Sequence, residues 1–248
     1  MPFAAPRFAD VLAVEAYKLR RSLALALALI APTLVAVFVF FNLLRQDDPA
    51  PWQMSVQASA GIWAFFMLPM SMTALTALVA HTEHGPRAWE VLYALPRPRW
   101  HWPAAKALLV LAVLALMSVA LAVITLAAIE AAAWWKPAVA PSGARDLAGY
   151  LGLLLRIGLS ATLLVAVQLW VALRYVSFVP ALALGIGGTF FAVVATSAKV
   201  GVLMPWQIPV NQLASDPDRA LLALAIGLLG GGLVLIAMCT DLARREMS

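Results

Sequence analysis

The chain has 248 residues, of which 64% are hydrophobic and 12% are charged, and its mean hydropathy is +0.92. Because about a quarter of the residues in soluble domains are charged, this composition excludes an ordinary soluble domain and favours a protein of the lipid bilayer. The net charge of +5 is interpreted as a signal of membrane topology, and it gives no reason to expect nucleic acid as a partner.

Six long apolar segments follow one another along the chain. A helix needs roughly 20 mostly apolar residues to cross about 30 Å of hydrocarbon. The segments that meet this requirement are 23–44, 58–80, 106–129, 148–173, 176–198 and 220–241. They are too long and too uniformly apolar for barrel strands. The sequence therefore predicts an all-α integral membrane protein, with six transmembrane helices in one domain spanning residues 1–248.

The positions of the basic residues predict the orientation of these spans. If the N-terminus is cytoplasmic, the loops and tails on the inner side hold most of the Lys and Arg residues. Inner loops of membrane proteins carry such an excess. Both termini are therefore predicted to be cytoplasmic.

The stretch that precedes the first span, residues 1–22, has helical periodicity. On a helix, one face would carry Phe8, Val11, Leu12, Glu15 and Leu19. Together with basic residues such as Lys18, this pattern predicts an amphipathic helix lying in the inner membrane interface. The alternative is a positively charged anchor for the first span, which needs the charges alone.

Residues 81–105 form the one long loop between spans on the predicted inner side. A short helix over about 86–94 is expected there, since Pro86 suits a first helical position and Pro96 ends the run. One face of this helix would carry Trp89, Leu92 and Tyr93, with Arg87 and Glu90 to the side. Such an aromatic face must be covered, either by the inner leaflet or by a groove on a partner protein.

Metal binding is the competing interpretation of the same loop. His81, Glu83 and His84 are close in sequence, and His101 lies across the loop. Their spacing does not match a zinc-binding HExxH helix. No metal site is therefore predicted.

Arg156 is the one charged residue well inside a predicted span, about nine residues from its outer edge. Insertion scales put the cost of a cation at a helix centre at about 2.5–3.5 kcal/mol, so the side chain should face protein or water. One hypothesis is that Arg156 lines a translocation path. The alternative is a structural ion pair, with Glu130 as the candidate partner, or a side chain that reaches the outer headgroups.

Two features of the last third of the chain concern packing. Residues 199–219 contain three prolines and are too short between them to cross, so re-entrant or interfacial segments on the outer side are predicted, with an ordinary packed loop as the alternative. Gly227 and Gly231 form a GxxxG spacing in the sixth span. This spacing lets helix backbones approach closely, so helix packing is predicted there.

The arrangement of these features resembles a known family, the ABC-2 type permeases, which are the membrane subunits of type V ABC exporters. The residues that carry the resemblance are Glu83, Trp89, Leu92, Pro96, Arg99 and Lys106 around the inner loop, with Glu15 and Lys18 before the first span. The likeness extends over nearly the whole chain. Pro98 and the run "WHWP" depart from the small or polar residues that are more usual after Pro96.

The resemblance implies a division of labour between chains. The loop 83–95 would be a coupling helix that binds an ATPase through Glu83, Arg87, Trp89, Glu90, Leu92 and Tyr93. Residues 5–21 would be a connecting helix, with Glu15 and Lys18. The sequence has no GxxxxGK[ST] motif, so the chain would be a non-catalytic permease without an ATPase domain, and ATP and Mg would lie on the partner.

The same resemblance implies a complex of two cytoplasmic ATPase subunits with two permeases, either a homodimer or a pair with a related subunit. It also implies a multi-pass protein of a bacterial inner membrane, in contact with lipid. The cargo favoured by the apolar spans is a peptide antibiotic or a hydrophobic small molecule.

Two other classes of protein are alternatives to this interpretation. A secondary transporter without an ATPase partner is expected to show inverted repeats and several ionisable residues near the midplane, and Arg156 stands nearly alone. A membrane-embedded enzyme needs a catalytic motif in the spans, and the sequence carries none.

Overall fold

The computed structural model describes residues 7–20, 22–84, 98–194 and 199–244. Regular secondary structure in these residues is helical, with a single isolated bridge between Pro51 and Ser142. The helices are α1 (Phe8–Arg20), α2 (Leu23–Leu44), α3 (Trp52–Ile62), α4 (Leu68–His84), α5 (His101–Trp135), α6 (Leu147–Ser160), α7 (Thr162–Arg174), α8 (Val179–Val194), α9 (Pro217–Ala225) and α10 (Gly231–Arg244). Short 3-10 turns span Pro137–Val139, Lys199–Leu203 and Val210–Leu213.

Five helical stretches in the described residues are long and apolar enough to cross a membrane. They are Leu23–Leu44, Trp52–Glu83, His101–Trp135, Leu147–Arg174 and Pro217–Arg244. Each contains one of the predicted segments, or most of it. The predicted span 176–198 corresponds to α8, an apolar helix of 16 residues. Residues 195–198 lie outside the described residues, so the six-span count stays a prediction.

Two of the spanning stretches contain a π-helical turn. Trp63–Met67 joins α3 to α4, and Ile226–Gly230 joins α9 to α10. Pro69 follows the first of these turns. Its backbone nitrogen carries no hydrogen and so cannot donate to the carbonyl four residues earlier. The wider π turn accommodates the proline without ending the helix. The helix α2, in contrast, continues through Pro32.

The largest helix pair of the core is α2 with α5. One face of α2 repeats small or β-branched residues at helical spacing, and these are buried: Ala24, Ala28, Ala31, Val35 and Val39. The other face exposes large side chains such as Leu29 and Phe38. In water such a face would be unfavourable. It is the pattern expected of a helix with protein on one side and lipid on the other.

The helix α1 uses the face that the sequence predicts, but that face packs on protein. Val11 and Glu15 are buried, while Phe8, Leu12 and Leu19 are half-buried against the core. The main neighbour of α1 is α5. The five residues therefore fix α1 to the third span, and they do not form a lipid-facing surface.

Gly227 and Gly231, the two glycines of the GxxxG spacing, lie where the sixth predicted span packs against an interruption in the helix of the fourth predicted span. The fourth span is interrupted at Ala161, between α6 and α7. A Cβ atom on Gly227 would lie 2.2 Å from the carbonyl oxygen of Ser160, and one on Gly231 would lie 2.7 Å from the backbone nitrogen of Leu163. The structure thus places both glycines in a close contact between backbones within one chain.

This contact makes a testable prediction about stability. Gly231→Leu should lower the melting temperature in detergent, because a side chain there overlaps backbone that cannot move away, and overpacking costs about 1–3 kcal/mol or more. Gly232→Leu is the matched control, since nothing lies within 4 Å of a Cβ atom at Gly232. Equal melting temperatures for the two variants would show that Gly231 does not set the packing of these spans.

Residues 199–213 fold onto the helices through buried amide side chains. The Nε2 atom of Gln207 donates to the carbonyl of Ala192 at 3.1 Å, and Nδ2 of Asn211 donates to the carbonyl of Gln207 at 2.8 Å. Trp206 packs over Gly188 of α8, where a Cβ atom would lie 2.5 Å from the indole. The segment is therefore well packed, while its depth in the bilayer stays a prediction.

Candidate functional site

Four charged side chains from three helices meet at one end of the molecule. Glu15 and Lys18 come from α1, Glu83 from the last turn of α4 and Lys106 from the second turn of α5. The Nζ atom of Lys106 lies 2.9 Å from Oε1 of Glu83 and 2.5 Å from Oε2 of Glu15. The Nζ atom of Lys18 lies 2.7 Å from Oε1 of Glu83 and 2.8 Å from Oε1 of Glu15. We call this group the inner ion cluster.

The inner ion cluster is almost entirely buried. The side chains of Lys106 and Glu83 are 0% exposed and that of Glu15 is 3% exposed, whereas Lys18 is 31% exposed. Two carboxylates face two ammonium groups, so the formal charges cancel. Balance matters here because a buried charge without a partner is costly, and loss of one member of a buried pair destabilises by about 3–5 kcal/mol.

Lys18 stays protonated in this setting. Burial lowers the pKa of its ammonium group, but hydrogen bonds to Glu15 and Glu83 and their negative charges outweigh the burial and raise it above its ordinary value. A raised pKa in the folded chain means that the resulting stabilisation is present below the ordinary value and is lost only as pH rises through the folded one. The contribution of Lys18 is therefore complete at neutral pH.

Aromatic residues at the start of α5 hold α1 beside this cluster. The rings of Phe8 and Trp100 stack with centroids 6.0 Å apart, and Phe8 meets His101 edge-on at 5.5 Å. The Nζ atom of Lys18 lies 5.9 Å from the centroid of the buried Trp102 ring. The "WHWP" run, which departs from the family pattern, thus has a structural role in binding α1 to α5.

Comparison with known proteins agrees with this architecture. The family model described as "ABC-2 family transporter protein" matches residues 11–193. This match covers more than half of the chain and contains all four residues of the inner ion cluster.

The chain belongs to the ABC-2 transporter family.

It is therefore a multi-pass membrane subunit of an ABC transporter, a permease whose role is transport. The matched region ends before the sixth apolar stretch, Pro217–Arg244. No curated protein matches the sequence.

The permease structure places Glu83 differently from the prediction. The sequence assigns Glu83 to a surface that binds an ATPase, which requires an exposed carboxylate. In the structure the carboxylate is enclosed and engaged with Lys18 and Lys106. Glu83 therefore contributes inside the permease, since a buried ion-paired group cannot at the same time contact another protein.

The other residues of the predicted coupling helix cannot be compared with the structure. Arg87, Trp89, Glu90, Leu92 and Tyr93 lie outside the described residues. Their assignment to a partner surface remains a prediction. Among the described residues, no group of three His, Cys, Asp or Glu side chains is placed to hold a metal ion.

The predicted partner of Arg156 is wrong. Glu130 forms an exposed ion pair with Arg145, because the two residues flank the same short connection between α5 and α6. Arg156 instead lines a cavity at the end of the permease opposite to the inner ion cluster. No ion pair joins Arg156 to a carboxylate within the described parts of the chain.

A second polar group at the inner end was not recognised from the sequence. Oδ2 of Asp241 in α10 accepts from NH1 of Arg174 at 2.6 Å and from Nε1 of Trp170 at 2.9 Å, and both donors lie on α7. A tryptophan near the end of a span, such as Trp170, is typical of an interfacial aromatic belt and does not by itself indicate a polar partner. The available signal was a lone aspartate in the last turns of an apolar helix.

Proposed function

We propose that the permease exports its substrate across the inner membrane of a bacterium, driven by ATP hydrolysis on separate cytoplasmic ATPase subunits. The observation that carries this proposal is the inner ion cluster. It joins α4 and α5, the helices before and after residues 85–97, to each other and to α1. A partner that binds residues 85–97 would therefore act on helices that buried, balanced charges hold together.

The positions of these charges link the end of α4 to the start of α5. Glu83 lies in the last turn of α4, and Lys106 lies in the second turn of α5. Separating their charges inside the protein is unfavourable, so a displacement of the loop should move the ends of α4 and α5 together. Rigid movement of packed helices is how ABC permeases can change between inward- and outward-facing states.

The loop itself supplies the docking surface in this proposal. A helix over 86–94 would present Trp89, Leu92 and Tyr93 on one face and Arg87 and Glu90 beside it. An apolar face of this kind fits a groove on a partner. ATP and Mg would be held by that partner, and nucleotide closure would shift the permease only if the contacts differ in energy between its two states.

The proposed complex has two ATPase subunits and two permeases, the second permease being a copy or a related chain. The termini are assigned to the cytoplasm because basic residues concentrate on that side. The shared location of α1, the end of α4 and the start of α5 supports this topology, since it expects the N-terminal helix on the same side as these two helix ends. A peptide antibiotic or a hydrophobic small molecule remains the proposed cargo.

Purification from the native membrane tests the proposal directly. A tagged permease should bring down a nucleotide-binding subunit in an amount about equal to its own, identified by mass spectrometry, and the complex should hydrolyse ATP. A permease that moves cargo when purified alone in liposomes, without nucleotide, would contradict the proposal and favour a secondary transporter.

A further inference from the structure

A second polar site lies at the opposite end of the permease from the inner ion cluster. A cavity of about 530 Å³ opens there between the start of α3, the start of α6 and the 3-10 turn Val210–Leu213 with the residues after it. Polar side chains line much of it, namely Gln53, Gln57, Tyr150, Arg156, Gln212 and Ser215. We call it the outer pocket.

Arg156 is the cation of the outer pocket, and it forms no ion pair with a carboxylate of the described residues. Its side chain is exposed to the cavity, and it lies about 13 Å along α6 from the first residue of the helix. Asp146 also lines the pocket, but it caps the start of α6, where its Oδ1 accepts from the amide of Gly149 at 2.8 Å. Ten residues of helix, about 15 Å, separate Asp146 from Arg156. A cation in such a partly enclosed site attracts anions strongly.

The walls of the outer pocket are fixed by contacts among the described residues. The hydroxyl of Tyr150 hydrogen-bonds that of Ser59 at 2.8 Å, and its ring meets Trp52 edge-on at 6.4 Å. Nε2 of Gln212 donates to the carbonyl of Ala220 at 3.0 Å. Its Oε1 atom is buried without a hydrogen-bond partner in the described parts of the chain. The pocket is thus pre-formed, and its volume falls within the range of about 300–1,000 Å³ that is usual for ligand sites.

We propose that the outer pocket binds an oxyanion, the phosphate or carboxylate group of an amphiphilic ligand, at Arg156. The guanidinium group pairs with the anion, since it presents a planar set of donors that matches two oxygens. Gln53 and Gln57 hydrogen-bond polar atoms next to the anion, and the half-buried Leu153 and Leu213 contact the apolar part of the ligand. Binding of this kind requires no ATPase, so it holds or fails independently of the proposed function.

The test is a direct binding measurement on the full-length permease purified in a neutral detergent. The probes are dihexanoyl phosphatidylglycerol, hexanoate and inorganic phosphate, with dihexanoylglycerol as the uncharged comparison, and heat is recorded in a titration calorimeter. We expect saturable binding of at least one oxyanion and none of dihexanoylglycerol. Arg156→Gln should weaken that binding by about tenfold or more, because the charge-assisted bonds are lost.

Arg145→Gln is the matched control, because it removes a cation from the same end of the molecule that pairs with Glu130 outside the pocket. Its binding should equal that of the parent. Arg156→Lys keeps the charge and should retain much of the binding. The melting temperature of each variant shows whether it is folded, and retained binding in Arg156→Lys supports the assignment even if Arg156→Gln proves unstable.

The probes also distinguish the sources of the anion. Saturable binding of inorganic phosphate or hexanoate supports a site for a free anion, whereas binding of phosphatidylglycerol alone supports a lipid headgroup or a similar amphiphile. The proposal is overturned if no oxyanion saturates the parent, if dihexanoylglycerol competes equally, or if folded Arg156→Gln binds as tightly as Arg145→Gln.

Discussion

Replacing Lys106 with methionine should destabilise the permease by about 3–5 kcal/mol, the cost of breaking a buried ion pair. The variant leaves Glu15 and Glu83 enclosed with Lys18 as their only cation in the inner ion cluster. The methionine side chain has a volume similar to that of lysine. The loss of stability therefore measures the missing charge and not a cavity. The melting temperature in detergent and the amount of protein inserted in the membrane measure the loss.

A double variant separates charge balance from the loss of any particular side chain. Lys106→Met combined with Glu83→Gln removes one charge of each sign and leaves the Glu15–Lys18 pair. The double variant should be more stable than Lys106→Met alone, and the difference from additivity measures the coupling. Arg145→Met is the control for an exposed pair, which is worth about 0–1 kcal/mol. If Lys106→Met melts like Arg145→Met, the inner ion cluster does not hold the helices together.

Replacing Trp89 with alanine should abolish coupled transport while the permease still folds and inserts. If Trp89 is the central anchor of the docking face, its truncation should cost about 2 kcal/mol or more of binding free energy. Affinity for the ATPase would then fall by about thirtyfold, since 1.4 kcal/mol corresponds to a factor of ten. Co-purification of the ATPase and cargo transport in liposomes are the two measurements.

Trp134→Ala provides the comparison for the Trp89 variant. Trp134 is 81% exposed at the far end of α5, where it suits the outer membrane interface. This variant should keep its ATPase and its transport. Unchanged transport by Trp89→Ala would show that the loop 83–95 is not the coupling helix, and membership of the ABC-2 family would be unaffected.

Local patterns in the sequence were enough for the fold class and most of the spans. The first predicted span, 23–44, coincides with the apolar helix Leu23–Leu44. This succeeds because hydrocarbon leaves few choices to a chain, which must satisfy its backbone hydrogen bonds within each crossing segment. The buried face of α1 was also predictable, since five residues at helical spacing define it.

The resemblance to the family also rests on Glu15, Lys18, Glu83 and Lys106, but it did not reveal that these residues form ion pairs with one another. The sequence assigned Glu83 to a partner protein, and Glu130 to Arg156. In the structure Glu83 instead meets Lys18 and Lys106, and Glu130 meets Arg145, while a partner role for Glu83 stays a prediction. Which charges meet depends on how the helices pack, and the spacing of charges along the sequence does not encode it.

Sequence by itself determined that this is a helical membrane protein with apolar spans, and it predicts a basic inner side with an aromatic inner loop. Tertiary structure alone decided that Lys106 pairs with Glu15, 91 residues earlier, and that Arg156 lines a pocket while Glu130 pairs with Arg145. The periodic spacing of residues along a helix shows which face packs on protein and not on water or lipid. Which helix covers that face depends on the packing of all of them together, and no local pattern encodes it.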